Sequence, residues 1–474
     1  MPAELHKPQP SPAKSSRRVH PLVWILLAGA LVRVGLWYAW GDWSPLINDD
    51  ARDYQGLAVR LVTTGQYANE RGHLSSLRPP LYPAMIAGIY HLFGITNDDA
   101  VRAIQAAAAL LTVLLVYRVG VITYSRQVGL WAAALACFYP SLLGYANLLL
   151  SETFFTFFVV AVTWLPCEAI HRQRAAILIP LGIALGLGAL TRSILLLFAP
   201  VLALFLLLSW RGGWGRRVVA AGLPLIVFAV VIAPWAVRNT RLQQTFTIID
   251  VMGGRNAMMG NYEYTPMERS WATISDVPEE RQWHRILHKD RKKNTPLTQG
   301  QVDKLALRHA IDFVRAHPGL TLQRDLVKFF NFWQLDRLLV AAATTGYFGT
   351  MTIPLQALLA AVVCGAYAVI LLAAIFGACC YPPSDSRYHW FLIASILFPC
   401  AIHTLVFAHS RYHLPIVPLL SIYAAAAIVH FRELDRRRRT WGFRLAVTLC
   451  VVITLGWLRE LVFVDFDLPN QLLG

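Results

Sequence analysis

Residues 21–40 read PLVWILLAGALVRVGLWYAW, an apolar run long enough to cross a bilayer, which takes about 20 residues as a helix. Lys14, Arg17 and Arg18 precede it, which is also how a secretory signal opens. The run is longer than a signal core, has no clear small-x-small exit and is followed by further apolar runs. It is therefore expected to stay in the chain as a first membrane helix. Outward from it, spans are predicted at 21–41, 100–122, 128–146, 152–170, 175–191, 194–210, 217–235, 352–377, 390–408, 412–430 and 442–459. The composition agrees. Of 474 residues 56% are hydrophobic and 15% charged, with a mean hydropathy of +0.48, too apolar for a soluble chain of this length.

The net charge of +16 sits largely in short segments between spans, as at Arg216-Arg217 and Arg436 to Arg439. That is how positive charge retained in the cytoplasm sets orientation, and it argues against nucleic acid as a partner. With the N-terminus inside, the loop near Arg126, the His171–Arg174 turn, Arg211–Arg217, the loop near Arg387 and Arg432–Arg439 all fall inside, and nearly all are basic. The seven cysteines lie in or beside apolar runs, so neither a disulfide framework nor a zinc site is indicated. The expected fold is an all-α polytopic membrane protein of about 11 transmembrane helices, with interfacial helices in the first outer loop and a large second outer loop. Four regions follow: a basic cytoplasmic tail at 1–20, an N-terminal transmembrane region at 21–235 with its first outer loop at 42–99, an outer cap at 236–351, and a C-terminal transmembrane region at 352–474. The cap holds 16 Lys and Arg against 11 Asp and Glu, and its aromatics (Phe313, Phe329, Phe330, Phe332, Trp333) imply a folded unit.

The first outer loop carries Asn48-Asp49-Asp50-Ala51-Arg52-Asp53-Tyr54. Tyr54, Leu57, Ala58 and Leu61 recur at helical spacing, which predicts an amphipathic helix along the membrane surface. Asp50 falls at its start, where exposed N–H groups favour a carboxylate. One reading makes Asp50 an N-cap. The other makes it an active-site acid, since three acidic residues cluster where capping needs one. Leu77-Arg78-Pro79-Pro80-Leu81-Tyr82-Pro83 then leads into a short apolar stretch at 84–94, read as a second interfacial helix. Glu152, Arg192, Arg238 and Arg411 join these residues on the outer side near the interface. Ionisable residues there are costly and often functional, although an arginine can also simply anchor in the headgroups.

These elements resemble the GT-C glycosyltransferases, in particular the branch holding the protein mannosyltransferases and the aminoarabinose transferases of lipid A. The resemblance rests on Asp50 four before Tyr54, the Arg78-Pro-Pro-Leu-Tyr-Pro element, Leu150-Ser151-Glu152, Ala189-Leu190-Thr191-Arg192, Pro234-Trp235-Ala236-Val237-Arg238-Asn239 and Arg411-Tyr412-His413-Leu414-Pro415. Many relatives have Asp-Glu where this chain has Asp50-Ala51, which leaves the partner of the catalytic acid, with Asp49 as candidate, open. The resemblance implies transfer of a sugar from a polyprenyl-phosphate carrier to a lipid, glycan or protein hydroxyl, with inversion, at the outer face of a bacterial inner membrane. It implies Asp50 as base, with Asp49 and Glu152 beside it. Arg192, Arg411, Arg78 and Tyr412 would hold the donor phosphate, a guanidinium offering a bidentate match to its oxygens. Tyr54, Arg238 and Asn239 would serve the acceptor side. His284 and His288 have the spacing of a helical metal pair, but no third ligand is obvious and Glu279-Glu280 read as solvated surface. No cofactor is indicated; a divalent metal stays open. Two other readings are a polysaccharide polymerase or ligase using a lipid-diphosphate donor, and a lipid or solute transporter, against which the lack of internal repeats argues.

Overall fold

The computed structural model describes residues 20–40, 49–69, 71–270 and 297–464. Helix α1 (Pro21–Trp40) is the first span. Helix α2 (Asp49–Thr64) buries the expected face, with Ala51, Tyr54, Leu57 and Ala58 all inside. A loop closed by an antiparallel bridge between Ala68 and Leu74 leads through Pro79-Pro80 to α3 (Leu81–Phe93), which lies against α2 with Tyr54 edge-on to Tyr82 at 5.0 Å.

Helix α4 (Asp98–Thr123) starts at Asn97, whose side chain accepts the Ala100 N–H at 3.1 Å, with Asp98 and Asp99 at the positive end of the helix dipole. The stretch predicted as one span over 128–146 is two helices, α5 (Arg126–Cys137) and α6 (Pro140–Tyr145). Pro140 has no N–H with which to continue the ladder of α5 and opens α6 instead. Helices α4 and α5 touch through glycine, where a Cβ on Gly120 would stand 2.7 Å from the Gly129 Cα. Then come α7 (Glu152–Arg172), α8 (Leu178–Thr191), α9 (Ala199–Ser209) and α10 (Trp214–Gln243). The segment after α10 holds, among its described residues, α11 (Gly253–Gly260), α12 (Gln299–Ala316), α13 (Pro318–Phe332) and α14 (Leu338–Thr344). Helices α15 (Ile353–Cys380), α16 (Ser386–Leu405), α17 (Val417–Val429), α18 (Leu434–Arg437) and α19 (Trp441–Arg459) complete the chain.

Among the described residues, eight helical stretches are long and apolar enough to cross a membrane: Pro21–Ala39, Asp98–Thr123, Glu152–Arg172, Trp214–Gln243, Ile353–Cys380, Ser386–Leu405, Ser410–Val429 and Trp441–Val464. Ala175–Thr191 and Ser193–Ser209 are shorter apolar helices joined at Arg192. The chain is an integral multi-pass membrane protein. Two spans are interior, with 83% of the apolar window of Glu152–Arg172 and 78% of that of Ser410–Val429 buried, against 17% for the first and last spans. The interior pair are the spans that begin with Glu152 and with Ser410-Arg411.

The described part of the segment between α10 and α15 is folded against these spans. Asp303 on α12 accepts the Gly254 and Arg255 N–H groups at 2.8 and 3.0 Å, satisfying the start of α11. On α13, buried Arg324 donates to the carbonyls of Tyr262 and Thr265 at 2.8 and 2.6 Å. Buried Lys328 donates to Asn261 Oδ1 at 3.1 Å and pairs with Asp325 at 2.7 Å.

Candidate active site

The first turn of α2 places Asp50 where the two interior spans begin. Its Oδ1 accepts from Arg78 at 2.6 Å and its Oδ2 from Arg411, 361 residues away in sequence, also at 2.6 Å. Both carboxylate oxygens are thus engaged by guanidinium groups. Arg78 is held from its other side by Asp53, whose Oδ2 accepts from Nε at 3.1 Å and from NH2 at 2.7 Å. Deeper in, fully buried Glu152 accepts from Arg192 at 2.8 Å through Oε1, which lies 4.0 Å from the Nε of Arg411. Its Oε2 is buried without a hydrogen-bond partner among the described residues. Arg192 also donates to Ser151 Oγ at 3.1 Å.

Aromatic rings frame these ions. The Tyr412 ring lies under both Arg411 and Arg192, at 5.4 and 5.9 Å, and stacks on His403 at 4.1 Å. Tyr54 carries Arg78 over its ring at 5.6 Å, and its hydroxyl stands 3.4 Å from Ser151 Oγ. Three carboxylates (Asp50, Asp53, Glu152) thus face three guanidinium groups (Arg78, Arg192, Arg411). Burial pushes the Asp50 carboxyl toward the neutral form, but Arg411 and then Arg78 outweigh it and hold the group well below the usual carboxylate range. Burial likewise works against the charge on Arg78, and Asp50, with Tyr54 and Asp53 behind it, more than restores it. Asp50 is therefore ionised, and in this arrangement a weak base.

Of the residues singled out from the sequence, Asp50, Glu152, Arg78, Arg192, Arg411, Tyr412 and Tyr54 come together here. Arg238 and Asn239 stand apart from Asp50 and hold the loop before α3. Arg238 donates to the Ser75 carbonyl at 2.6 Å and the Tyr67 carbonyl at 3.3 Å, and lies over the Trp235 ring at 4.6 Å. Asn239 accepts from Ser76 Oγ at 2.9 Å and donates to the Ile249 carbonyl at 2.8 Å. The Asp49 side chain and the segment with Glu279, Glu280, His284 and His288 lie outside the described residues. Asp53 and Ser151 were not among the candidates. Asp53 could have been, since it follows Asp50 by three residues and so shares its side of the helix. Among the described residues no three His, Cys, Asp or Glu side chains stand close enough to hold a metal ion.

Residues 77–237, which include Arg78, Glu152 and Arg192, match the family model described as dolichyl-phosphate-mannose-protein mannosyltransferase. The chain is 28% identical over 215 residues to an undecaprenyl phosphate-alpha-4-amino-4-deoxy-L-arabinose arabinosyl transferase of Erwinia tasmaniensis, a match covering 43% of this chain and 37% of that one. It is 31% identical over 235 residues to a protein of the same name from Pseudomonas aeruginosa, covering 45% of this chain and 40% of the relative. The match thus spans less than half the length of these relatives. Among solved structures, the apo oligosaccharyltransferase of Archaeoglobus fulgidus superposes with a TM-score of 0.53 at 15% identity, over 92% of this chain and 54% of that one. At that identity the likeness is one of fold.

Proposed function

We propose that this chain, a member of the GT-C glycosyltransferase superfamily by its fold and its matched segment, moves a sugar from a polyprenyl-phosphate carrier to a hydroxyl acceptor at the outer membrane interface. The observation that carries this reading is the Asp50 carboxylate held between Arg78 and Arg411, with the Arg192–Glu152 pair behind it. In the transfer, the acceptor oxygen attacks the sugar C1, and the C1–O bond to phosphate breaks with its electrons going to the phosphate. The phosphate is already a competent leaving group, so the protein needs only a base and positive charge. Asp50 takes the acceptor proton. Arg411 and Arg192, which begin the two elements meeting at Glu152, face the departing phosphate. Attack opposite the phosphate inverts C1.

Donor binding activates the base. A phosphate between Arg411 and Arg192 draws positive charge away from Asp50 Oδ2, so the carboxylate regains proton affinity only when the donor is seated. Glu152 acts by positioning, since it holds Arg192 at 2.8 Å and stands close to Arg411. Tyr54 and Tyr412 set the planes against which these guanidinium groups lie. The basic segments between the spans support an orientation with the N-terminus inside and the loops 42–99 and 236–351 outside.

Purified protein given a labelled sugar on a polyprenyl monophosphate should release or transfer that sugar. A protein that uses only a diphosphate-linked donor would overturn the reading. Reporter fusions at Asn294 and Arg437 test sidedness, and an inside signal at Asn294 would place the site on the wrong face.

A further inference from the structure

A cavity of about 260 Å³ opens beside Asp50, between α2 and the loop that leads to α3. Asp53 and Gly56 line it from the helix, and Asn69, Arg71, His73 and Arg78 from the loop. Asp50 stands between this cavity and the buried ion cluster. Its Oδ1 meets Arg78, a wall of the cavity, and its Oδ2 meets Arg411, which is not. In a single displacement the nucleophile and the leaving group sit on opposite sides of C1, and the base must stand with the nucleophile. The carrier's tail needs the apolar spans, so its phosphate belongs with Arg192 and Arg411. The acceptor is left with the side that opens past Arg78.

The cavity walls are built rather than incidental. Asn69 Oδ1 accepts the Arg71 and His73 N–H groups at 3.1 and 3.0 Å, and the turn between them passes through Gly72 at φ 80°. The bridge from Ala68 to Leu74 closes the turn, and Tyr67 donates to the Arg78 carbonyl at 3.0 Å. Arg238 and Asn239 fasten the strand of loop behind it through Ser75 and Ser76.

The groups left over define a ligand. Both bonds from Arg78 fall on Asp53 Oδ2, and the side chain is 44% exposed, so Oδ1 remains as an acceptor. Asn69 has its oxygen occupied and its amide NH2 to offer. The Arg71 guanidinium and the His73 ring have no partner among the described residues. One carboxylate oxygen among several donors matches a ring of hydroxyls, each of which both donates and accepts. A serine or threonine side chain presents one hydroxyl on a flexible chain, whereas a sugar ring holds several hydroxyls on one rigid frame of the size of this cavity. We infer that this cavity is the acceptor site and that it takes a sugar ring of a glycan-bearing acceptor, with Asp53, Asn69, Arg71 and His73 as its ligands. The inference rests on the transfer proposed above.

The test uses the full chain with a labelled polyprenyl-monophosphate sugar. Three acceptors are compared: extracted bacterial envelope glycolipid, the free oligosaccharide released from it, and a serine/threonine-rich peptide. Donor hydrolysis by water is the basal readout. His73→Ala, Arg71→Ala and Asn69→Ala should each lower kcat/KM for the saccharide acceptor about tenfold, the loss of one hydrogen bond in a charged site, while hydrolysis and the donor KM stay within about twofold. Arg71 and His73 are exposed, so their variants keep the test intact if Asn69→Ala, which also loosens the turn, fails to fold. Transfer to glycolipid alone, or to free oligosaccharide as well, supports the site and tells the two sources apart. A raised donor KM with unchanged acceptor kinetics would make the cavity the donor's sugar pocket and overturn the inference. So would peptide used as well as glycan, or all three variants behaving as wild type. Wild-type protein that neither hydrolyses nor transfers from the donor would instead sink the proposed function itself.

Discussion

Arginine is used in two ways in this molecule. Arg411 and Arg78 close on carboxylates at the start of the interior spans, whereas Arg238 and Arg324 donate to backbone carbonyls of loops. A guanidinium on buried carbonyls is a fixed staple, because moving it strands neutral acceptors that nothing else satisfies. A guanidinium on a carboxylate can be exchanged, because an arriving phosphate presents the same kind of charged oxygen pair. The partner, not the arginine, separates the groups that can take part in chemistry from those that hold the scaffold.

The sharpest way to break this distinction is Asp50→Asn. The amide keeps the shape but cannot take a proton, so transfer should fall by about 10²–10⁴-fold in a protein that still inserts and folds. Asp49→Asn should be milder, and an inactive Asp49 variant beside an active Asp50 variant would shift the site by one residue. Next, Arg411→Ala and Arg192→Ala should each cost roughly 2–4 kcal/mol of transition-state stabilisation, read from kcat/KM for the donor, with lysine restoring only part. Normal donor kinetics in both would make them scaffold arginines.

Asp336 supplies a carboxylate that no arginine satisfies. It is buried at 1% exposure, its oxygens lie near the Ser141 hydroxyl and the Leu338 N–H without a full hydrogen bond among the described residues, and Tyr139, Tyr145, Tyr367 and Cys364 feel its charge. Burial pushes its carboxyl up to about 6, against weaker pulls from Ser141 and the Leu338 N–H. The folded value is raised, so this group's contribution to stability is greatest below the ordinary carboxylate pKa and is lost as pH rises through about 6. Unfolding followed from pH 4 to pH 8 should show a loss of roughly 3 kcal/mol that Asp336→Asn removes. An unchanged pH profile in the variant would show that Asp336 is solvated or paired. Last, Arg238→Ala should cost about 1–3 kcal/mol of stability, with lysine a poor substitute, and leave donor hydrolysis near normal. A large loss of hydrolysis would put Arg238 with Arg411 instead.

The sequence marks some of this plainly and some not at all. Asp50 ahead of Tyr54 on an amphipathic helix was legible, as were Glu152 and Arg411 at the heads of their spans. Their mutual contacts were not, because the Asp50–Arg411 pair joins residues 361 positions apart. Arg78 reads in the sequence like Arg192 and Arg411, as a phosphate ligand, and nothing there shows that it grips Asp50 and Asp53. Arg238 and Asn239 read as acceptor contacts; their partners here include the Ser75, Tyr67 and Ile249 carbonyls, and carbonyls leave no trace in a sequence. The break at Phe138-Tyr139 was readable from Pro140, but the apolar composition on both sides masked it.

The clasp on Asp50 has a bearing on turnover. The carrier arrives as a phosphodiester with one charge and departs as a monoester that carries up to two at neutral pH. The spent carrier is thus the better anion for Arg411 and Arg192, and a site built only of cations would retain it. Asp50 is the resident competitor: once its proton has gone to water, it reclaims Arg411 at 2.6 Å and evicts the product. Asn at position 50 cannot compete as an anion. Asp50→Asn protein should therefore hold polyprenyl monophosphate more tightly than wild type in a direct binding measurement, and equal affinities would mean that release is governed elsewhere.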